Sequence, residues 1–154
     1  IGHLQSNKTA LAATHFDWVH TVDRLKIARR LSDQRSFHAP PLQVCIQFRL
    51  GDEGSTSGAE PAAVGELAAA VAELPRITLR GLMTIPPPSD DPAVQRGYFR
   101  TLRELQETLV AGGMTLDTLS MGMSGDLEAA IAEGATLVRV GTALFGPRPA
   151  ARTG

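Results

Sequence analysis

The sequence predicts an α/β protein of the (β/α)8-barrel type, present as an incomplete barrel of about six βα units. Short apolar runs alternate regularly with amphipathic helical stretches, the pattern of a parallel sheet wrapped by helices. Successive units are about 20 to 35 residues apart, the spacing of such a barrel. The last two apolar runs both end in turns of glycine and hydroxyl residues, Gly122-Met123-Ser124-Gly125 and Gly141-Thr142. A complete barrel of this type needs eight strands and roughly 250 residues, and its phosphate site commonly follows strands seven and eight. With 154 residues, the strands expected here are therefore the third to the eighth, which agrees with Ile1-Gly2-His3-Leu4 reading as the end of a strand. An open doubly wound sheet shares the same alternation and is the alternative architecture.

Each element follows from local chemistry. After the Ile1 strand comes a polar loop at 5–7 and a short helix at 8–13. Trp18–Val22 is the second strand, and Asp23 is the expected N-cap of a helix running over 24–35. Following the Pro40-Pro41 pair, 42–50 reads as a strand. A Gly/Ser loop occupies 51–58, and an Ala-rich helix over 61–74 starts with Pro61 in its first turn. The fourth strand spans 77–85 and stops at the Pro86-Pro87-Pro88 run. Asp91 then caps a long helix from Pro92 to about Val110, with Val94, Tyr98, Leu102, Leu105 and Leu109 on one face. Gly112-Gly113 ends that helix. The last strands are expected at 118–121 and 137–140, with a helix after Gly125.

Composition narrows the function. A hydrophobic content of 43% supports a core of ordinary size, so one domain over 1–154 is the expectation. A net charge of −1, with arginines scattered along helices, gives no basic face for nucleic acid. No apolar run approaches membrane-spanning length and no signal peptide is evident, so a cytoplasmic location is expected. The single cysteine, Cys45, lies in an apolar strand and reads as a buried structural thiol. His3, His15, His20 and His38 have no metal-ligand spacing, so no metal site is expected.

The two terminal turns carry the chemistry. Backbone N–H groups in such turns converge on an anion, and glycine lets the main chain approach it closely. Ser124 and Thr142 add hydroxyl donors, while the helix after Gly125 turns its positive end toward the same point. Arg139 is a charge inside the apolar run Leu137-Val138-Arg139-Val140, which calls for a buried partner or a ligand.

The run 1–8 (IGHLQSNK), His20-Thr21-Val22-Asp23, the 52–58 loop, Arg80-Gly81-Leu82-Met83, and residues 119–131 and 138–146 together resemble the pyridoxal phosphate homeostasis proteins. That family resembles the barrel domain of alanine racemase, binds pyridoxal 5'-phosphate (PLP), has no established turnover and is implicated in vitamin B6 and amino-acid balance. The resemblance implies PLP as cofactor, with its phosphate on Ser124, Gly125, Gly141 and Thr142 and its pyridine nitrogen beside Arg139. It also implies PLP-dependent apo-enzymes as partners. In the family the Schiff-base lysine sits on the first barrel strand, which is expected to lie upstream of Ile1. Lys8 and Lys26 occupy other positions. Family members usually carry Asn and Lys where this chain has Arg49 and Thr56.

Two other functional readings are a PLP-dependent amino-acid racemase and a non-functional fragment. A racemase needs two opposed acid/base groups, commonly the imine lysine and a tyrosine from a second domain. Tyr98 is the only tyrosine here and lies in a helical stretch, so no catalytic residue is assigned. The expected complete protein binds PLP and buffers its supply, and this chain carries the phosphate half of the site.

Overall fold

The computed structural model describes residues 1–51 and 58–146. Its centre is a sheet of five strands, β1 (Trp18–Val22), β2 (Leu42–Gln47), β3 (Ile77–Met83), β4 (Thr118–Met123) and β5 (Leu137–Arg139), in sequential order and all parallel. The helices are α1 (Thr9–His15), α2 (Leu25–Gln34), α3 (Val64–Ala72), α4 (Pro92–Ala111), α5 (Leu127–Ala132) and α6 (Thr142–Phe145). A helix separates every pair of consecutive strands, and sequential order with parallel pairing makes the sheet a half-barrel. A hydrogen bond between His20 on β1 and Ser120 on β4 spans the two strands between them, so the sheet curls around an interior.

Among the described residues the expected first strand is missing. Ile1 is exposed, Gly2 adopts φ +113°, and the 1–4 segment pairs with no strand; only Leu4 packs against the core. An apolar run becomes a strand only when a ladder partner takes its backbone groups. Five strands therefore stand where six were expected. Two boundaries are shorter than the sequence suggests: β2 ends at Gln47, with Phe48 bridged to Ala59, and β3 ends at Met83. The 52–57 part of the expected Gly/Ser loop, including Thr56, lies outside the described residues.

Alternation along the strands divides the sheet into two faces. Leu42, Val44 and Ile46 join Val19, Ile77, Leu79, Leu119 and Met121 in a core with Ile27 and Leu31 of α2, Val64 and Val71 of α3, and Phe99 and Leu102 of α4. Cys45 is also fully buried but is not part of that cluster, and burial pushes its thiol pKa up to about 12. It is an inert structural thiol, as expected. Polar contacts cross the interior near the amino ends of the strands. There Arg80 donates to both carboxylate oxygens of Asp117 and to Gln43, and lies over the Trp18 ring at 5.1 Å.

Caps follow the sequence in one case and depart from it in another. Asp91 caps α4 as expected, its Oδ1 accepting the Ala93 N–H at 2.8 Å. Asp23 does not cap α2. The N-cap is Arg24, whose Nη1 donates to the Asp23 carboxylate at 2.8 Å, so the carboxylate is held by a charge rather than by helix N–H groups. On α4, Phe99, Leu102 and Gln106 are buried, while Val94 is exposed.

Glu133, at the end of α5, fastens α5 to α4. Its carboxylate is almost completely buried and meets Arg96 Nε at 2.7 Å, Arg100 Nη2 at 3.3 Å and Arg103 Nη2 at 3.5 Å. The hydrogen bond from Arg96, with Arg100 reinforcing it, holds the carboxyl below its ordinary pKa. A depressed carboxylate stabilises fully above its unfolded value, near 4.3, and loses that contribution as pH falls through the folded value. Glu133→Gln is expected to lower Tm at pH 7 by about 3 °C or more and to flatten the loss of Tm between neutral and acid pH. Calorimetry across that range checks both, and a wild-type acid slope in the variant would remove Glu133 from the account.

Candidate functional site

The site is built at the carboxyl ends of β4 and β5. Gly122 makes the exit from β4 possible: it sits at φ +94°, and a Cβ there would come 2.5 Å from the Ala130 Cβ on α5. The chain then turns through Met123, whose N–H donates to Asp126 Oδ1 at 2.6 Å, and reaches Ser124 and Gly125 at the mouth of the interior. The second turn leaves β5 at Gly141 and enters α6 at Thr142. Ser124 Oγ accepts the Ala143 N–H at 3.1 Å, which ties the two turns together across the gap between adjacent strands.

Both turns line one cavity of about 1100 Å³. Ser124, Gly125, Arg139, Gly141 and Thr142, the five residues singled out in the sequence, all border it. The space that a Cβ would fill at Gly125 and at Gly141 is empty, so each glycine offers bare backbone to the cavity. None of its lining residues among those described is a lysine. Lys8 is exposed and ends a 3-10 turn ahead of α1, and Lys26 is exposed on α2.

Arg139 reaches inward from β5. Its Nη1 donates to Ser120 Oγ and its Nη2 to the Thr84 carbonyl oxygen, both at 2.8 Å, while its Nε is buried and has no partner among the described residues. Burial lowers the Arg139 pKa from its ordinary value, yet a guanidinium remains charged at neutral pH. His20 also borders the cavity, with Nδ1 at 2.8 Å from Ser120 Oγ. Burial lowers its pKa, and the Arg139 charge lowers it further. Sequence reasoning missed His20, Ser120 and Thr84. For His20 and Ser120 the available signal was a polar residue within an otherwise apolar strand, whereas Thr84 acts through its backbone carbonyl, which no side-chain pattern reveals.

Among the described residues no group of three or more His, Cys, Asp and Glu is placed to hold a metal, and no helix is long and apolar enough to cross a membrane. The arrangement places hydroxyls and open backbone next to a fixed cation whose Nε has no partner among the described residues.

Residues 1–149 match the family described as alanine racemase, N-terminal domain. The chain belongs to the alanine racemase N-terminal domain family. Within it, the resemblance to the pyridoxal phosphate homeostasis proteins holds over nearly the whole chain. The protein of that name from Pseudomonas aeruginosa is 59% identical over 148 residues, 96% of this chain and 63% of that protein. Its counterpart from Vibrio cholerae is 55% identical over 152 residues, 99% of this chain and 64% of that protein. The chain thus spans a little under two thirds of these relatives. PipY of Synechococcus elongatus, solved with PLP bound, superposes with a TM-score of 0.86 at 38% identity over 95% of this chain and 68% of that one. Alanine racemase from Clostridium difficile shares the fold of this alanine racemase N-terminal domain, with a TM-score of 0.78 at 14% identity over 98% of this chain and 42% of that one.

Proposed function

We propose that this chain is a single partial barrel domain that binds PLP through its phosphate and ring nitrogen and serves intracellular PLP (vitamin B6) homeostasis, handing the cofactor to PLP-dependent apo-enzymes. One observation carries the reading. Two hydroxyl-bearing turns and the Arg139 side chain border the same cavity, which brings hydroxyl and backbone donors for a phosphate together with a guanidinium for a neutral nitrogen. The relatives named for PLP homeostasis, and a neighbour solved with PLP, support the same choice of ligand. In the barrel frame, β1 to β5 take the fourth to eighth strand positions, and the 1–4 segment stands where the third would end.

The residues present fit the cofactor. The Ser124 hydroxyl, already fixed by the Ala143 N–H, keeps its own proton to donate to a phosphate oxygen. Thr142 supplies a second hydroxyl, and the open Gly125 and Gly141 backbones allow an anion to come close. When bound, PLP supplies an aldehyde carbon and an electron-accepting ring. Arg139 works against the second property: a permanently protonated donor beside the pyridine nitrogen keeps that nitrogen unprotonated and weakens the ring as an electron sink. A site of this kind suits holding the cofactor better than carbanion chemistry, and this is the ground for reading the chain as a carrier and not a racemase.

Lysine placement sets the test. Among the described residues the cavity lining holds no lysine side chain, and reversible binding of PLP is the reading for this chain. Equilibrium dialysis followed by borohydride reduction and peptide mass spectrometry is expected to find PLP retained before reduction and no stoichiometric adduct on Lys8 after it. A full adduct on Lys8 would relocate the site, and no retention at all would remove the function.

A further inference from the structure

We propose that Ser120 and His20 are positioning residues for Arg139: a hydrogen-bonded chain from His20 through Ser120 holds the guanidinium at the cavity, with His20 neutral and carrying its proton on Nε2. The inference rests on the reading that Arg139 meets the cofactor ring, but the geometry beneath it is independent of any ligand.

Three strands contribute one residue each: His20 from β1, Ser120 from β4 and Arg139 from β5. Ser120 is fully buried, and its hydroxyl lies 2.8 Å from both His20 Nδ1 and Arg139 Nη1. Donor chemistry fixes the direction of these bonds. A guanidinium nitrogen can only donate, so Ser120 Oγ accepts from Arg139. Of these two partners only His20 can accept the serine's own proton, and it does so at Nδ1 only when that nitrogen is bare. The neutral ring protonated on Nε2 is the form that lets Ser120 both accept from Arg139 and donate to His20. Burial and the Arg139 charge, which both disfavour an imidazolium, act in the same direction.

The network matters because of what it fixes. Thr84 oxygen anchors Nη2 and Ser120 anchors Nη1, so the guanidinium plane is held at two points while Nε has no acceptor. Loss of Ser120 leaves one anchor, and the group is then free to rotate about it. His20 acts one step further away. It takes the serine proton and so turns the serine lone pairs toward the arginine.

Nitrogen-15 NMR of the chain without PLP tests the positioning directly. Wild type is expected to show a neutral His20 with hydrogen-bonded, unprotonated Nδ1 and a slowly exchanging Arg139 side chain. Ser120→Ala is expected to shift the Nδ1 signal and speed Arg139 exchange. His20→Asn, which keeps an acceptor at the δ position, is expected to retain the slow Arg139 signal that His20→Leu loses. In a parallel PLP titration, Ser120→Ala is expected to weaken binding about tenfold and to move the absorbance band of the bound cofactor. Wild-type Arg139 exchange and an unchanged His20 tautomer in Ser120→Ala would overturn the proposal. Absence of PLP binding by wild type, with the apo network intact, would instead overturn the functional reading on which it rests.

Discussion

Replacing both hydroxyls of the two turns, Ser124→Ala with Thr142→Ala, is expected to weaken PLP binding by about 10²- to 10⁴-fold, since each hydrogen bond to a charged group contributes about 1.5 to 3 kcal/mol. Ser124 has the larger share. Its hydroxyl also accepts the Ala143 N–H, so its loss unpins the start of α6 from the β4 turn and the backbone donors there lose their common aim. Thr142 is exposed and Ser124 half-buried, so the pair is expected to leave Tm nearly unchanged. Titrations of the single and double variants, with melting curves beside them, separate the effects. Weaker binding with an intact fold supports a phosphate site, whereas unchanged affinity would mean that the anion is held elsewhere.

The second large effect is on folding. Gly81→Ala is expected to destabilise the chain by about 3 kcal/mol or more, or to prevent folding. A Cβ at Gly81 would lie 1.8 Å from the Thr118 carbonyl oxygen and 2.8 Å from Gln106 Oε1. Neither neighbour can retreat without cost. Thr118 is paired to Gly81 in the β3–β4 ladder, and Gln106 Oε1 accepts the Leu82 N–H at 3.2 Å. Gly97→Ala makes the same chemical change inside α4, where a Cβ meets open space. It is expected to stabilise by about 0.5 to 1 kcal/mol. Denaturant melts of the two variants should therefore move in opposite directions. A harmless Gly81→Ala would show that β3, β4 and α4 are not packed as described.

What the sequence disclosed was what local chemistry decides. The Asp91 cap, the Pro92 start and Gly112-Gly113 stop of α4, and the two glycine turns all depend on residues a few positions apart, and each stands where the sequence put it. The Ile1 run failed as a strand because a strand depends on a partner that periodicity cannot reveal. Asp23 failed as a cap because its neighbour Arg24 competes for the same carboxylate. The five ligand candidates were legible as composition: glycine, hydroxyl and a misplaced charge. Their support was not. His20 and Ser120 are 100 residues apart, and only the curl of the sheet brings them together.

Parallel titrations with PLP and with pyridoxal, the same ring without the phosphate, decide whether the β4 and β5 turns hold a phosphate. Saturable one-to-one binding of PLP, at least 10²-fold weaker binding of pyridoxal, and displacement of PLP by inorganic phosphate are expected. Equal affinity for the two compounds, or no saturation by either, would contradict a phosphate site there.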